Sequence, residues 1–380
     1  MRFYMKYLIA IVLIFITLAF AQAKDSIELS RDDKNYKTEL MWPEITIPWG
    51  MVMLPDGRML ATERSGTLFL LDKHKKAIKI AGLPTIHANG QGGLLDIALH
   101  PDFKKNNVLF FTFASNEGKG RGSNTALMRA KLDINKLKLT HKKILYKGEF
   151  NSYNSEHYGS RIVIADNYIY FSIGDRGARD LNPQNLSLDG GKIYRLHLDG
   201  SIPLDNPFVH QAKINSSNIK TATYSYGHRN PQGLIKFGQT GQIWSHEHGP
   251  RGGDEVNLIQ AGKNYGWPVI SYGINYSYTR FTDLTEKEGM EQPKLYWVPS
   301  IAPSGMAFIN SVKYPSWQGK VLLGSMKFNH LILLDILDDN VIKQTKLLDD
   351  IGGRVRNVIQ GSDGFIYLGV DGVGILRLLP

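Results

Sequence analysis

Short apolar runs alternate with turn-forming residues along almost the whole chain from Trp49 onward. In stretches such as GMVMLPDGRMLATERSGTLFLLD and DNYIYFSIGDRG, strand-forming residues are separated by Gly, Asp and Asn. Strand signals punctuated by turns about every 8–12 residues are typical of all-β proteins. Helical periodicity is scarce, so the hydrophobic pattern predicts an all-β fold.

An internal repeat refines this prediction. The stretch PDGRMLATERSGTLFLL at 55–71 resembles SDGFIYLGVDGVGILRLL at 362–379, because each has a D-G turn, a strand, a Gly-containing turn and a strand ending in Leu-Leu. A repeat that returns at both ends of the chain fits a ring closed on itself, which is a β-propeller of six or seven blades with roughly 50–60 residues each. A chain of β-sandwiches is the alternative, and it explains the recurring D-G strand pairs less well.

The first residues have the pattern of a signal peptide. Arg2 and Lys6 precede an apolar run from Leu8 to Phe20, and an A-x-A sequence ends at Ala23. We therefore predict cleavage after Ala23 and a periplasmic or secreted protein. An uncleaved membrane anchor is the alternative, although the apolar run is short for a span. The predicted segments are a signal peptide (1–23), an N-terminal lead-in (24–45) and a β-propeller catalytic domain (46–380).

Composition limits the chemistry that the chain can perform. It has no cysteine, so any metal must be held by oxygen or histidine nitrogen. Its formal net charge of +10 falls to +8 when Arg2 and Lys6 leave with the predicted signal peptide. The basic residues are dispersed, which argues against a nucleic-acid partner. The excess charge favours an acidic partner or serves solubility.

The motif GHRNPQGL at 227–234 directly follows the strand-like run TATYSY. An Arg, an Asn and a His side by side exceed what an ordinary loop needs. Arg229 and Asn230 are therefore candidates for holding a ligand, and Pro231 would fix the corner so that both face inward.

Three further stretches contain single candidates. Gln91 precedes two glycines in HANGQGGLLDIALHPDF, and glycines let a backbone come close to a ligand, although a simple turn fits equally well. His157 stands in EHYGSRI, where a lone His is more often structural than catalytic. Asp175 ends a strand in SIGDRG, where it also fits an ordinary turn.

The segment EHGPRGGDEVNLIQAGKNYGWP at 247–268 is rich in potential metal ligands. Gly249, Pro250 and Tyr265 can offer backbone carbonyls, and Asp254 and Glu255 add carboxylates. Oxygens of these two kinds are the ligands that calcium prefers. The spacing matches no EF-hand, and a solvated acidic loop is the alternative.

The motif GGRVRNVI at 352–359 places Arg354 and Arg356 two residues apart on a predicted strand, so both point to the same face. Two guanidiniums on one face repel unless an anion lies between them, and each can hold a carboxylate through two hydrogen bonds. Lys327 and Arg229 could complete a cationic wall. Solvated arginines on an exposed edge are the alternative.

Together these stretches resemble the soluble, periplasmic PQQ-dependent sugar dehydrogenases, specifically the aldose sugar dehydrogenase branch. The resemblance covers nearly all of the chain beyond the predicted signal peptide. Its motifs, in chain order, are QGGLLDIALHPDF, LDGSIPLDNPF, GHRNPQGL, GDEVNLI with GKNYGWP, SIAPSGMAFI and GRVRNVI. It implies a six-bladed β-propeller that holds pyrroloquinoline quinone (PQQ) and calcium near the central axis.

The resemblance also implies roles for individual residues. His157 corresponds to the general base, Asp175 to a carboxylate beside the sugar, and Glu156 stands where the glucose dehydrogenase branch has Asp. Gly249 and Pro250 correspond to ligands of the active-site calcium, and Glu255 and Tyr265 to ligands of a second, structural calcium. The implied cofactor contacts are Gln91, Arg229, Asn230, Tyr276, Lys327, Arg354 and Arg356. Further candidates are Gln184 for the substrate, Trp297 for stacking on the quinone and His248 for the cofactor pocket.

The implied reaction is oxidation of an aldose at C1 to the lactone, with electrons passed to a soluble acceptor, a cytochrome or a quinone. The implied assembly is a monomer or a homodimer. Two other functions fit parts of the sequence: a calcium-dependent propeller lactonase, and a propeller that binds sugars without chemistry. The lactonase needs no cationic wall, so Arg354 and Arg356 argue against it.

Overall fold

The computed structural model describes residues 27–32, 36–215, 218–238 and 240–380, so the predicted signal peptide at 1–23 lies outside the described residues. The described part is almost entirely β-structure, with two short α-helices, α1 (Phe103–Asn106) and α2 (Val209–Asn215), and one 3-10 helix (Pro315–Trp317). Within these ranges no helix is long and apolar enough to cross a membrane.

The strands form six sheets, and each sheet is one blade of a propeller. Two strands, β1 (Leu29–Arg31) and β2 (Lys37–Trp42), come before the first blade. Blade 1 consists of β3 (Pro48–Met53), β4 (Met59–Glu63), β5 (Thr67–Leu71) and β6 (Ala77–Ile80). Blade 2 consists of β7 (Leu94–Leu99), β8 (Val108–Ser115), β9 (Asn124–Asp133) and β10 (Lys138–Lys147). Blade 3 consists of β11 (Ile162–Ala165), β12 (Tyr168–Ile173), β13 (Lys192–His197) and β14 (Thr223–Tyr226).

The remaining blades follow the same antiparallel order. Blade 4 consists of β15 (Pro231–Lys236), β16 (Ile243–Glu247), β17 (Asp254–Ile259) and β18 (Leu295–Trp297). Blade 5 consists of β19 (Pro303–Phe308), β20 (Val321–Ser325), β21 (Leu331–Leu337) and β22 (Asn340–Leu347). Blade 6 begins with β23 (Val355–Gln360), β24 (Ile366–Val370) and β25 (Gly374–Leu379).

The ring closes at blade 6, whose outer strand comes from the other end of the chain. Strand β2 pairs antiparallel with β25, with Leu40 opposite Leu376, and β1 adds a parallel fifth strand to the outer edge of blade 5. The segment predicted as an N-terminal lead-in therefore supplies strands to two blades. The first strand of every blade contacts the first strand of the next, including β23 with β3. The predicted six-bladed β-propeller is confirmed.

The hydrophobic core is divided into layers between neighbouring blades. Each of the six blade interfaces has its own cluster of buried apolar side chains. Between blades 2 and 3, for example, Phe110 and Leu127 pack with Phe171 and Tyr194. Because both faces of most strands are covered in this way, the strands are apolar on both sides and carry few alternating polar residues.

A single buried arginine connects all six blades at the axis. Arg161, directly before β11, is 4% exposed. Its guanidinium donates to acceptors in the first strand of each of the other blades: Trp49 O (3.0 Å), Asp96 Oδ1 (3.5 Å), Gln232 O (2.8 Å), Ser304 Oγ (3.4 Å) and Arg356 O (2.8 Å). Burial lowers its pKa to about 10, so it stays charged near neutral pH.

Candidate active site

Two sets of connections open on the same face of the ring, because the strands of each blade run antiparallel. One set joins successive blades, and the other joins the second and third strands within a blade. The connections between blades contain His157, Arg229, Asn230 and Arg354, and those within blades contain Asp175, Gly249, Pro250, Lys327 and Asp371. The topology therefore gathers the predicted site residues from most of the chain at one face.

His157 and Asp175 form a buried hydrogen-bonded pair. His157 Nδ1 donates to Asp175 Oδ1 at 2.7 Å, and the two residues are 8% and 1% exposed. Burial alone would raise the pKa of Asp175, but the hydrogen bond from His157 and the charges of His157 and Arg229 outweigh it, so this pKa lies below its usual value. Because Nδ1 donates to Asp175, Nε2 is the ring nitrogen that can accept a proton.

The partners of Asp175 differ from those expected of a sugar ligand. Its Oδ1 also accepts from the backbone N–H of Gly177 at 2.8 Å, and its Oδ2 accepts from Trp267 Nε1 at 2.8 Å. With protein donors on both oxygens, Asp175 is better placed to orient His157 than to bind a sugar hydroxyl. The geometry therefore favours a different role from the predicted contact with substrate.

The backbone of His157 is held in the left-handed region, with φ of +53°. Gln91 Oε1 accepts a hydrogen bond from the His157 backbone N–H at 2.9 Å. The carboxylate of Glu156 lies 3.9 Å from His157 Nε2 and is half exposed. Gln91, predicted as a cofactor contact, thus also fixes the loop that carries the imidazole.

Arg229 and Asn230 face the same region from the connection between blades 3 and 4. Arg229 Nη1 donates to the carbonyls of His248 (3.1 Å) and Gly249 (2.8 Å). Asn230 Oδ1 accepts from the Gly159 backbone N–H at 3.0 Å. Its Nδ2 donates to no other group in the described part of the chain, so it is the atom free to meet a ligand oxygen.

A cavity of about 520 Å³ lies between these loops. His157, Asp175, Arg229 and Pro250 line it on one side, and the long connection after β17 lines the other side. Tyr276, on that connection, is 67% exposed at the rim. The cavity is large enough for a sugar, and it is open to solvent at the rim.

Arg354 and Arg356 meet a common carboxylate, Asp371, at the turn between β24 and β25. Arg356 is 8% exposed and makes two hydrogen bonds to Asp371, Nε to Oδ1 at 2.7 Å and Nη2 to Oδ2 at 2.5 Å. Arg354 Nε lies 3.9 Å from Asp371 Oδ2, and its side chain is 57% exposed. The anion required between the two guanidiniums is thus supplied partly by the protein, and Arg354 keeps most of its hydrogen-bonding capacity.

Lys327 and Arg64 complete a group that we call the cation cluster: Arg64, Lys327, Arg354 and Arg356. Arg354 Nη2 lies 3.9 Å from the sulfur of Met326, the residue before Lys327, and Lys327 is exposed. Burial and the charges of Arg356 and Arg354 lower the pKa of Arg64, while the charge of Asp371 acts in the opposite direction. One carboxylate, Asp371, offsets these four positive charges only in part.

The loop Ile301–Pro303 joins the cation cluster to the His157 side of the face. The Ile301 and Ala302 carbonyls accept from the backbone N–H groups of Lys327 (3.2 Å) and Met326 (2.9 Å). Pro303 O accepts from His248 Nε2 at 2.7 Å, and the His248 carbonyl accepts from Arg229. A chain of hydrogen bonds through residues 301–303 and His248 thus connects the loop that carries Lys327 with Arg229.

The proposed calcium ligands fall into two groups. The Gly249 carbonyl and Pro250 lie at the cavity, beside Arg229. Glu255 lies opposite Glu247 across strands β16 and β17, and burial together with the Glu247 charge raises the pKa of Glu255 to about 8. Tyr265 stacks on His228, which hydrogen-bonds Glu247. Among the described residues no group of three or more acidic, His or Cys side chains could hold a metal, so backbone oxygens would have to contribute.

Three further candidates lie in different surroundings from those predicted. Trp297 is 6% exposed in the core between blades 4 and 5, where its Nε1 donates to Gln344, so it cannot stack on a group in the cavity. Gln184 hydrogen-bonds Asn264 and the Trp267 carbonyl, and it fixes two loops together. His248 Nε2 donates to the Pro303 carbonyl. Burial lowers the pKa of His248 to about 3, so its imidazole is uncharged near neutral pH.

Sequence reasoning missed Arg64, Asp371 and Trp267. Asp371 belongs to one of the recurring D-G turns, Arg64 lies in the similar turn at TERSG, and Trp267 lies in the motif assigned to calcium. Their contacts join residues far apart in the chain, so no local pattern marks them.

Comparison with known proteins identifies the family. The family model described as glucose/sorbosone dehydrogenase matches residues 45–377. The aldose sugar dehydrogenase YliI of Escherichia coli (strain K12) is 36% identical over 342 residues, which cover 88% of this chain and 89% of that protein. The apo-form crystal structure of the soluble aldose sugar dehydrogenase from Escherichia coli has a TM-score of 0.86 at 36% identity, covering 91% of this chain and 100% of that chain.

A structure with bound cofactor is also similar. The PQQ-bound form of the aldose sugar dehydrogenase from Streptomyces coelicolor has a TM-score of 0.74 at 25% identity, covering 92% of this chain and 99% of that chain. The matched region covers β3 to β24 and most of β25, so it includes strands of every blade. This chain therefore belongs to the glucose/sorbosone dehydrogenase family.

Proposed function

We propose that this protein oxidises aldose sugars at C1 to the lactone, using PQQ and calcium, and passes the electrons to a soluble acceptor, a cytochrome or a quinone. The observation that carries the proposal is that the His157–Asp175 pair, Arg229 and Pro250 line one cavity, while the cation cluster lies in other loops at the same face of the ring. The relatives named as aldose sugar dehydrogenases, one of them with PQQ bound, support the same activity.

The residues present fit PQQ, which is a flat quinone with three carboxylates. The cation cluster has more positive charge than Asp371 can neutralise, and Arg354 and Lys327 are exposed and free to bind an anion. Asn230 offers an unused amide donor for a ring or quinone oxygen. A calcium-dependent lactonase or a passive sugar-binding propeller has no need of such a cluster.

The residues also fit calcium. The Gly249 and Pro250 backbone oxygens would hold the ion at the cavity, and the Gly249 carbonyl can accept from Arg229 and bind a cation at once because it has two lone pairs. At the second position, Asn257 Oδ1 is buried without a hydrogen-bond partner, and Asn257 Nδ2 contacts Glu255 at 3.0 Å. An unsatisfied oxygen next to a buried carboxylate is what a calcium ion would relieve.

In this proposal His157 is the general base. Its Nε2 accepts the proton of the anomeric hydroxyl, while Nδ1 keeps its own proton in the hydrogen bond to Asp175, whose carboxylate stabilises the positive charge that develops on the ring. When bound, PQQ with its calcium supplies the two-electron oxidation chemistry. The cavity wall orients the sugar so that its hydroxyl faces Nε2.

The activity is tested by dye reduction with a panel of aldoses. We expect activity only when PQQ and calcium are both supplied to the apoprotein. Sugar-dependent dye reduction by PQQ-free protein would contradict the proposal. Hydrolysis of a lactone without any reduction of dye would also contradict it. We further propose that residues 1–23 are removed after Ala23 on export to the periplasm or the medium, which mass spectrometry of the mature protein tests.

Removing two exposed members of the cation cluster is expected to weaken PQQ binding. In the variant Arg354→Gln/Lys327→Gln, each lost charge-assisted contact should raise the dissociation constant about tenfold, or roughly a hundredfold together. The affinity of the wild type should also fall more steeply with salt than that of the variant. Fluorescence titration of apoprotein with PQQ in the presence of calcium measures both effects.

The matched control is Lys105→Gln/Lys136→Gln, which removes the same charge from two lysines that are 84% and 78% exposed. This control should bind PQQ like the wild type. If the control and the cluster variant weaken binding equally, the effect is one of net charge, and the cation cluster is not the PQQ site.

Calcium is expected to stabilise the protein through Glu255 even without PQQ. At about a hundredfold excess over its dissociation constant, calcium should raise the wild-type Tm by roughly 3–5 °C. Glu255→Gln should lose most of that increase, whereas Glu288→Gln, at an exposed position on the long connection after β17, should keep it. Thermal unfolding in calcium and in EDTA measures the difference, and an undiminished increase in Glu255→Gln would rule out this second site.

A further inference from the structure

We propose that Trp267 is a positioning residue for the reaction, holding Asp175 so that this carboxylate orients His157. The inference rests on the proposed function, because it concerns the general base of that reaction. Trp267 Nε1 donates to Asp175 Oδ2 at 2.8 Å, while Asp175 Oδ1 accepts from His157 Nδ1 at 2.7 Å. The indole and the imidazole therefore bind the two oxygens of one carboxylate.

The carboxylate cannot keep this orientation by other means. Asp175 is 1% exposed, so no bulk water replaces a missing donor at Oδ2. The remaining protein donor, the Gly177 backbone N–H, binds Oδ1, the same oxygen that meets His157. Without the indole N–H, Oδ2 would be a buried charged oxygen without a partner, and the carboxylate would rotate to find one.

Trp267 is itself fixed on several sides, as a positioning residue must be. Its backbone N–H donates to Gly227 O at 2.9 Å, and its carbonyl accepts from Gln184 Nε2 at 2.8 Å. Its ring meets Phe281 edge to face at 5.2 Å, and the Arg179 guanidinium lies 4.8 Å from the Phe281 ring. These contacts leave the indole, which is 7% exposed, little freedom to turn away from Asp175.

The same indole also borders the cofactor side of the site. The Arg229 guanidinium carbon lies 5.4 Å from the centre of the Trp267 ring, and both side chains line the cavity. Trp267 thus contacts both Asp175, which orients the base, and Arg229, which binds the Gly249 carbonyl. A change confined to its N–H should affect the base and leave Arg229 in place.

The test is Trp267→Phe in the holoenzyme, which removes the N–H and keeps an aromatic ring. Rapid mixing with an aldose, with absorbance of bound PQQ as the signal, separates the maximal rate of quinone reduction from the half-saturating sugar concentration. We expect the maximal rate to fall about tenfold to a hundredfold, with the half-saturating concentration within about twofold of the wild type. PQQ affinity should be unchanged.

Trp244→Phe is the matched control, because it makes the same chemical change in blade 4 at an indole that is fully buried with an unpartnered Nε1. It should leave the reduction rate unaltered. The inference is overturned if Trp267→Phe reduces PQQ as fast as this control does. It is also overturned if only the half-saturating concentration rises, since Trp267 would then be a sugar contact.

The same experiment distinguishes an error in the proposed function from an error in the role of Trp267. If the wild-type holoenzyme is not reduced by any aldose, the proposed function is wrong. If the wild type is reduced but Trp267→Phe matches Trp244→Phe, the proposed function stands and only the positioning role is wrong.

Discussion

Replacing His157 by Asn is expected to lower kcat about 10²–10⁴-fold without changing the affinity for PQQ. The loss follows from removing the general base, because the Asn amide cannot accept a proton near neutral pH. Asn is chosen because His157 has a φ of +53°, a conformation that Asn adopts more easily than Ala does. Steady-state kinetics with PQQ and calcium in excess measure the effect, and a PQQ titration confirms that the site is intact.

The matched control is His141→Asn on strand β10. His141 is also in the left-handed region, with a φ of +48°, but it is exposed on blade 2. Its replacement should leave kcat within about twofold of the wild type. If His157→Asn keeps near-normal kcat with saturating PQQ, calcium and sugar, another group removes the proton and the assignment of the base is wrong.

Replacing Arg161 by Met is expected to destabilise the protein by about 3–5 kcal/mol. The substitution keeps an unbranched side chain but removes the donors that bind all five other blades at the axis. It also leaves the buried Asp96 without its only nearby cation among the described residues, and burial already raises the pKa of that carboxyl. Urea unfolding followed by tryptophan fluorescence measures the loss as a shift of the midpoint.

Two comparisons separate this effect from a simple loss of charge. Arg280→Met, at a side chain that is 69% exposed, should change the unfolding free energy by less than about 0.5 kcal/mol. The double variant Arg161→Met/Asp96→Leu should recover part of the loss, because it removes the buried charge that the single variant leaves unpaired. A single Arg161→Met variant as stable as Arg280→Met would show that the axial hydrogen bonds contribute little.

The sequence predicted the fold from features that are local and repeated. D-G turns between apolar runs indicate paired strands within a blade. The same pattern recurs near the C-terminus, which indicated a closed ring. The strands before Trp49 were not predicted. Strand β1 has only three residues, and β2 pairs with β25, whose Arg377 contacts Glu39 from the other end of the chain. Pairing over that separation leaves no signal within either segment.

Candidate site residues could be found where one short motif carries the polar side chains, and not where contacts join separate strands or blades. Arg229 and Asn230 stand together in GHRNPQGL, so the chain alone marked them as candidates for holding a ligand. The positions of Asp371 and Trp267 could not be found in this way. Trp267 contacts Asp175 in another blade, about ninety residues away, and Asp371 contacts Arg356 on another strand of its own blade. The prediction that Trp297 stacks on the quinone was wrong, because a tryptophan next to a site motif can equally well be a core residue.

The central claim is that positively charged side chains from distant parts of the chain meet the His157–Asp175 pair around a redox cofactor. Anaerobic mixing of the apoprotein with one equivalent of PQQ, calcium and an aldose tests it most directly, with the quinone absorbance as the signal. The account predicts that the absorbance of the oxidised quinone disappears on addition of sugar, in a one-to-one ratio with protein. Oxidised quinone that persists with every aldose tried, although PQQ and calcium are bound, would contradict it.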